Sequence, residues 1–299
     1  MRRIDGVITK SLQGLLANYR YAVLCAVILS FIPYVTCLSG ALIALITLRR
    51  GPRDGAMVLV PVLLMHFAGS LVSLSYGMAA GNTLLTFVPG YLAAATLYFS
   101  VSWRVLGGVL LVLVLVLMLM LHLVAPELVQ TQLMYLKHVA QDAEHGGMIL
   151  SLMKDWNEAH QIIFANYLLG IQAMTVVVYN LLGVFLARSV QASLFNPGGF
   201  AQEVLLWRLR RSDLALSLLI VLAAVMGYAL AVNLVPLLLV LVMCAGFACS
   251  ARFLKQKAIK YYWFMLLVPL LALPVVVFPV YVLIGFVDGL VQFRFIRGL

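Results

Sequence analysis

Along this chain, long uncharged runs alternate with short charged joints. Six runs are close to the roughly 20 apolar residues that carry a helix across about 30 Å of hydrocarbon. They are Ala56–Ser75, Leu84–Val101, Val105–Ala125, Gln161–Ala187, Leu214–Val232 and Leu234–Ala251. The pattern predicts a membrane helix for each. Two further runs, Tyr21–Leu48 and Tyr261–Phe286, are too long for one ordinary crossing and too short for two full ones. Pro33 and Gly40 interrupt the first, which predicts two short or tilted helices, or a re-entrant hairpin turning near Pro33–Ser39. Pro269, Pro274 and Pro279 fall five residues apart in the second, so they either kink one long helix or turn a hairpin. The expected fold is all-α: one polytopic membrane domain over residues 1–299, with about eight to ten membrane segments.

Three stretches break the pattern. The N-terminus places Ile4, Val7, Ile8, Leu12 and Leu15 to one side and Arg2, Arg3 and Lys10 to the other. That amphipathicity predicts a short interfacial helix rather than a cleavable signal. Residues 126–160 scatter Leu128, Met134, Leu136 and Val139 among polar residues, with a break at Gly146–Gly147, which predicts one or two amphipathic surface helices. Residues 193–212 hold an Asn-Pro-Gly-Gly turn followed by Phe200, Val204, Leu205, Trp207 and Leu209, apolar against Arg208, Arg210 and Arg211. Ser212 is placed to cap the next membrane helix.

Charge then orients the runs. The joint Arg49–Asp54 holds three arginines, Arg252–Lys260 holds four cations and no acid, and Arg188–Asp213 holds four arginines against Glu203 and Asp213. The loop Pro126–His160 instead carries five acids against Lys137 and Lys154, and Tyr76–Thr83 carries no charge. By the positive-inside rule the first three lie in the cytoplasm and the last two outside. The six clear helices then alternate without conflict, with Arg104 at the inner end of a tight hairpin. The basic N-terminus is expected inside, in a bacterial inner membrane.

Composition agrees. Of 299 residues, 65% are hydrophobic and 10% charged, against about 25% charged in soluble domains. Mean hydropathy is +1.10. The formal net charge of +10 sits at the ends of apolar runs, as topogenic charge does, rather than on a polar face interleaved with aromatics, so no nucleic-acid partner is expected. Cys25, Cys37, Cys244 and Cys249 all lie inside apolar runs without metal-ligand spacing. No internal repeat is visible.

Candidate chemistry is sparse. No phosphate-binding glycine loop, metalloprotease helix or nucleophile elbow is present, no two histidines share a face at ligand spacing, and no enzyme activity, metal or cofactor is expected. Polar residues at membrane depth are the informative ones, because they are expensive there. His66 has Ser70 four residues on and Ser73 seven on. The run Gln161–Ala187 carries Asn166, Gln172 and Asn180, and Asn166 and Asn180 share a helical face with Gly170. His66, Ser70, Asn166, Gln172 and Asn180 are the candidate lining of a ligand cavity; the same asparagines also suit interhelical hydrogen bonding. Ala22, Ala26 and Ser30, at intervals of four, let another helix approach closely. Near the C-terminus, Asp288 needs a cationic partner, and Arg49 or Arg50 is the nearest rich supply if both chain ends are inside. Arg294 and Arg297 then hold the tail in the cytoplasm.

Gly285-x-x-Asp288 followed by Phe293-Arg294, and the segment Asn196–Arg211, resemble the YybS-like family of bacterial inner-membrane proteins built around a domain of unknown function. The resemblance covers most of the chain in layout and these two stretches in motif. It implies a domain similar to the substrate-binding S-components of energy-coupling-factor vitamin transporters. Ala22, Ala26 and Ser30 match the positions that meet a coupling subunit there. The chain has more membrane segments than the six of an ordinary S-component, and a sizeable outer loop. Two functions are therefore expected to compete. One is a small-solute-binding or transport component, partnered by an ATPase or coupling subunit. The other is a non-transport scaffold that docks a cytoplasmic or membrane partner through Phe200–Arg211 and Arg252–Lys260.

Overall fold

The computed structural model describes residues 18–32, 35–142 and 156–291. The N-terminal amphipathic stretch through Leu15, the proposed turn residue Pro33, the break at Gly146–Gly147 and the tail arginines Arg294 and Arg297 lie outside them. The described residues form twelve α-helices and no strand. They are α1 Tyr19–Phe31, α2 Thr36–Arg50, α3 Pro52–Ser70, α4 Tyr76–Ser100, α5 Trp103–Val124, α6 Glu127–Asp142, α7 Glu158–Phe195, α8 Gly199–Leu205, α9 Arg211–Val225, α10 Ala229–Gln256, α11 Tyr262–Ala272 and α12 Pro274–Val291. Five of them, α4, α5, α7, α10 and α12, are long and apolar enough to cross a membrane. The chain is an all-α integral membrane protein.

Both awkward runs resolve into pairs. Tyr21–Leu48 becomes α1 and α2, of 13 and 15 residues, each only about 20 Å long. Tyr261–Phe286 becomes α11 and α12, which part at Leu273 before Pro274, the first residue of the next helix. One boundary differs from the hydropathy pattern: α9 stops at Val225, and Val232 belongs to α10. Gly227, at φ +85°, takes the left-handed turn that ends the run early, a conformation open to glycine at little cost.

The helices fall into two compact units. The first comprises the described residues of Met1–Leu110 and Thr175–Val204, in which α1 to α4 pack on one another. Trp103 is buried there, stacked on Phe185 with centroids 4.5 Å apart, and Phe200 meets both rings edge-on. That aromatic wedge, with a two-pronged ion pair from Arg188 to Glu203, fastens α8 to α7. The second unit comprises the described residues of Leu111–Met174 and Leu205–Leu299, with α9 to α12 at its centre. Its most extensive packing joins α10 to α12. Their backbones touch at Gly246 and Gly285: a Cβ on Gly285 would come 2.8 Å from the Gly246 nitrogen. Ser212 sits inside the first turn of α9, and the capping bond comes from Asp213, whose Oδ2 accepts the Arg210 N–H at 2.9 Å.

Candidate functional site

Polar side chains at membrane depth occur in several small groups. In the first unit, His66 Nδ1 lies 2.9 Å from the Thr83 hydroxyl and 3.5 Å from that of Ser70. Its ring stands edge-on to Phe87 at 5.2 Å. Thr83 and Phe87 are fully buried and His66 is half-buried. The cluster ties α3 to α4.

Asn180, on α7, serves α4. Its Nδ2 donates to the Leu85 carbonyl at 3.0 Å and to its own helix at Val176, 2.9 Å; its Oδ1 accepts the Gly90 N–H at 2.9 Å. The reason lies in Pro89, inside α4, which has no N–H to give the carbonyl four residues back. A Cβ at position 90 would come 2.7 Å from Asn180 Oδ1, so Gly90 is what admits the amide. The same repair recurs once. Pro61 lies four residues after Met57, and the Tyr19 hydroxyl donates to the Met57 carbonyl at 2.6 Å. At the end of α2, the Leu48 carbonyl takes a hydrogen bond from Gln191 Nε2 at 3.0 Å.

Ala22, Ala26 and Ser30 are also in the first unit, and all three are buried. Ser39 of α2 donates to the Ala26 carbonyl at 2.7 Å, so this face of α1 is covered within the chain.

The second unit holds Asn166 and Gln172. Asn166 is buried, with Oδ1 2.9 Å from His122 Nε2. The other ring nitrogen of His122 faces the Met118 carbonyl at 2.8 Å. Gln172 donates to Gln132 of α6 at 2.9 Å. Gly170, one turn beyond Asn166, packs on the backbone of Asn233. Asn233 is fully buried, and its amide meets no partner among the described residues.

The five residues expected to line one cavity therefore sit in separate hydrogen-bonded groups: His66 with Ser70, Asn180 with α4, Asn166 with His122, and Gln172 with Gln132. None of the five lines either of two depressions among the described residues. One, of about 420 Å³, lies in the first unit between α1, α2 and α7. The other, of about 630 Å³, lies in the second unit, walled by Trp156, His160, Phe164 and Tyr167 and floored by valines of α9 and α10. Trp156 and Phe164 meet edge-to-face at 5.0 Å. The spacing Trp156, His160, Phe164 is legible as one face at the start of a helix, and it was the signal for this cup.

Asp288 is 2% exposed. Its guanidinium partners are Arg252 and Arg208, in place of the Arg49 or Arg50 that loop charge suggested. Arg252 Nη2 reaches Oδ2 at 2.6 Å, and its Nη1 donates to the Leu205 and Trp207 carbonyls at 2.8 and 3.1 Å. Arg208 lies 3.3 Å from Oδ1. Arg49 instead rests over the Phe195 ring, 4.0 Å from its centroid.

No group of three or more metal-ligating side chains occurs among the described residues. No family model, curated protein or solved structure matches the chain.

Proposed function

We propose that the chain is a solute-binding component of a bacterial inner-membrane transport system, and that its solute occupies the aromatic cup of the second unit. The cup carries this reading. At about 630 Å³ it falls within the range of small-molecule sites, roughly 300–1,000 Å³, and it has their chemistry. Its walls are aliphatic and aromatic, with the His160 imidazole and Tyr167 phenol as orienting groups. The positive-inside arithmetic puts this end of α7 outside, with the N-terminus inside. The likeness to the YybS-like family points the same way, toward an S-component-like partner of an ATPase module. The solute class the walls favour is small, flat and mostly apolar, with one or two polar substituents.

Native mass spectrometry of the full chain from mild detergent tests this. A retained small molecule is expected, and Phe164→Ala should lose it while the protein stays folded. A protein that carries no small molecule and instead crosslinks to a partner through Phe200–Arg211 and Arg252–Lys260 would favour the scaffold reading. Leu206 is 73% exposed beside α8, whose fixed position suits docking.

A further inference from the structure

We infer that the first unit holds a specific site for an anionic phospholipid, with one acyl chain in the groove between α1, α2 and α7 and the phosphate on Arg49. The inference is independent of the solute reading.

The groove has a volume of about 420 Å³, and its principal walls are Cys25, Ile28, Leu42, Leu45, Leu186 and Val190. No wall residue is charged or carries a hydroxyl or amide. A small-molecule site needs a few polar groups to orient its ligand, and this groove offers none along its length. Ile28 and Leu186 are 53% and 41% exposed, so it opens sideways to the membrane interior. A hydrocarbon chain is the occupant such a surface accepts.

One end is different. Leu38, Leu42 and Leu45 lie along one stripe of α2, and Arg49 continues that stripe one turn further, at the helix end. The groove thus runs into a guanidinium. Arg49 is exposed, and no carboxylate pairs with it among the described residues. Phe195 under its guanidinium fixes its position, and the Gln191 bond to Leu48 joins α7 to α2 beside it. A held, unpaired fork of N–H donors suits a phosphate, which it can meet with two bonds. An anionic headgroup neutralises the Arg49 charge, while a zwitterionic headgroup brings its own amine beside it.

The test is native mass spectrometry of the full-length protein, delipidated and then exposed to an equimolar mixture of phosphatidylglycerol and phosphatidylethanolamine with identical acyl chains. One tightly held phosphatidylglycerol is expected, favoured about fivefold over the zwitterionic lipid. Arg49→Ala should abolish the preference and leave the two lipids equal. Arg53→Ala removes a charge of the same joint that is off the stripe, and should leave the preference unchanged. Leu42→Trp fills the groove and should remove both adducts. Should that variant not fold, Leu186→Phe narrows the open side and is expected to weaken both adducts together. Equal binding of the two lipids by the unaltered protein would overturn the site. So would equal effects of Arg49→Ala and Arg53→Ala, or occupation of the groove face by a second copy of the chain, seen as dimer without lipid.

Discussion

Asn180 supplies to the Leu85 carbonyl the donor that Pro89 lacks, at 3.0 Å and from another helix. In lipid no water can take that place, so a proline inside a membrane helix persists only where something else pairs the freed carbonyl. The first unit answers this twice, with Asn180 for Pro89 and Tyr19 for Pro61. Each repair also fastens two helices, so the prolines specify packing as well as shape.

The Asn180 repair predicts a coupling. Asn180→Leu leaves the Leu85 carbonyl and the Gly90 N–H without partners and should cost about 2 kcal/mol, near the upper end for membrane hydrogen bonds. Pro89→Ala restores a backbone donor to Leu85. In the Asn180→Leu background it should therefore recover about 1 kcal/mol, although alone it brings little. Unfolding in mixed detergent micelles reads all four corners of the cycle. Strict additivity would mean that the amide does not replace the missing N–H.

The Asp288 cluster gives a graded series. Arg252 is buried, touches three acceptors and reaches Asp288 at 2.6 Å, whereas the Arg208 side chain is 38% exposed and lies 3.3 Å from the same carboxylate. Removing one partner of a buried pair leaves the other charge uncompensated. Arg252→Met should therefore cost about 3–5 kcal/mol. Arg208→Ala should cost under about 1 kcal/mol. Asp288→Leu combined with Arg252→Met should be milder than Arg252→Met alone, because no charge is then stranded. Arg252→Lys should fall between, since a point charge cannot span the carboxylate and two carbonyls. Thermal unfolding in detergent orders the set, and equal losses for Arg252→Met and Arg208→Ala would contradict it.

The helices were legible because apolar length and proline position are local. The all-α class needed nothing beyond the chain itself, whereas the three prolines of Tyr261–Phe286 allowed either a kinked helix or a hairpin, and only the coordinates part α11 from α12 at Leu273. The partners were not legible, because they depend on which helix faces which. Asn180 could be singled out as polar at depth, but the carbonyl it serves is 95 residues away. Asp288 plainly needed a cation, yet choosing among the arginines required knowing that α12 lies along α10. The sign of that pairing was present in Gly246 and Gly285, though glycines in apolar runs are too common to be matched without coordinates. The cup was missed for a related reason. Amides stand out inside an apolar run, whereas the aromatics at its edge, which build the depression, do not.

The contact of α10 with α12 carries a prediction that separates close approach from helix propensity. A Cβ on Gly246 would strike the Tyr281 carbonyl oxygen and stand 2.8 Å from the Gly285 nitrogen. Both are backbone atoms, which cannot swing aside as the end of a flexible side chain can. Gly246→Ala must push the helices apart, and the shift would reach Arg252 and Asp288 one to two turns away. Its cost should be about 3 kcal/mol or more, at the severe end for an added methyl in a packed interior. Gly285→Ala should behave alike, since its Cβ would strike the Val242 carbonyl. Gly81, inside α4, has no atom within 4 Å of an added Cβ. There alanine gains the helical preference of about 0.5–1 kcal/mol, and Gly81→Ala should raise the melting temperature. If Gly246→Ala were to raise it too, the two backbones would not be in contact, and the Arg252–Asp288 pair would have to be held by the 205–207 segment instead.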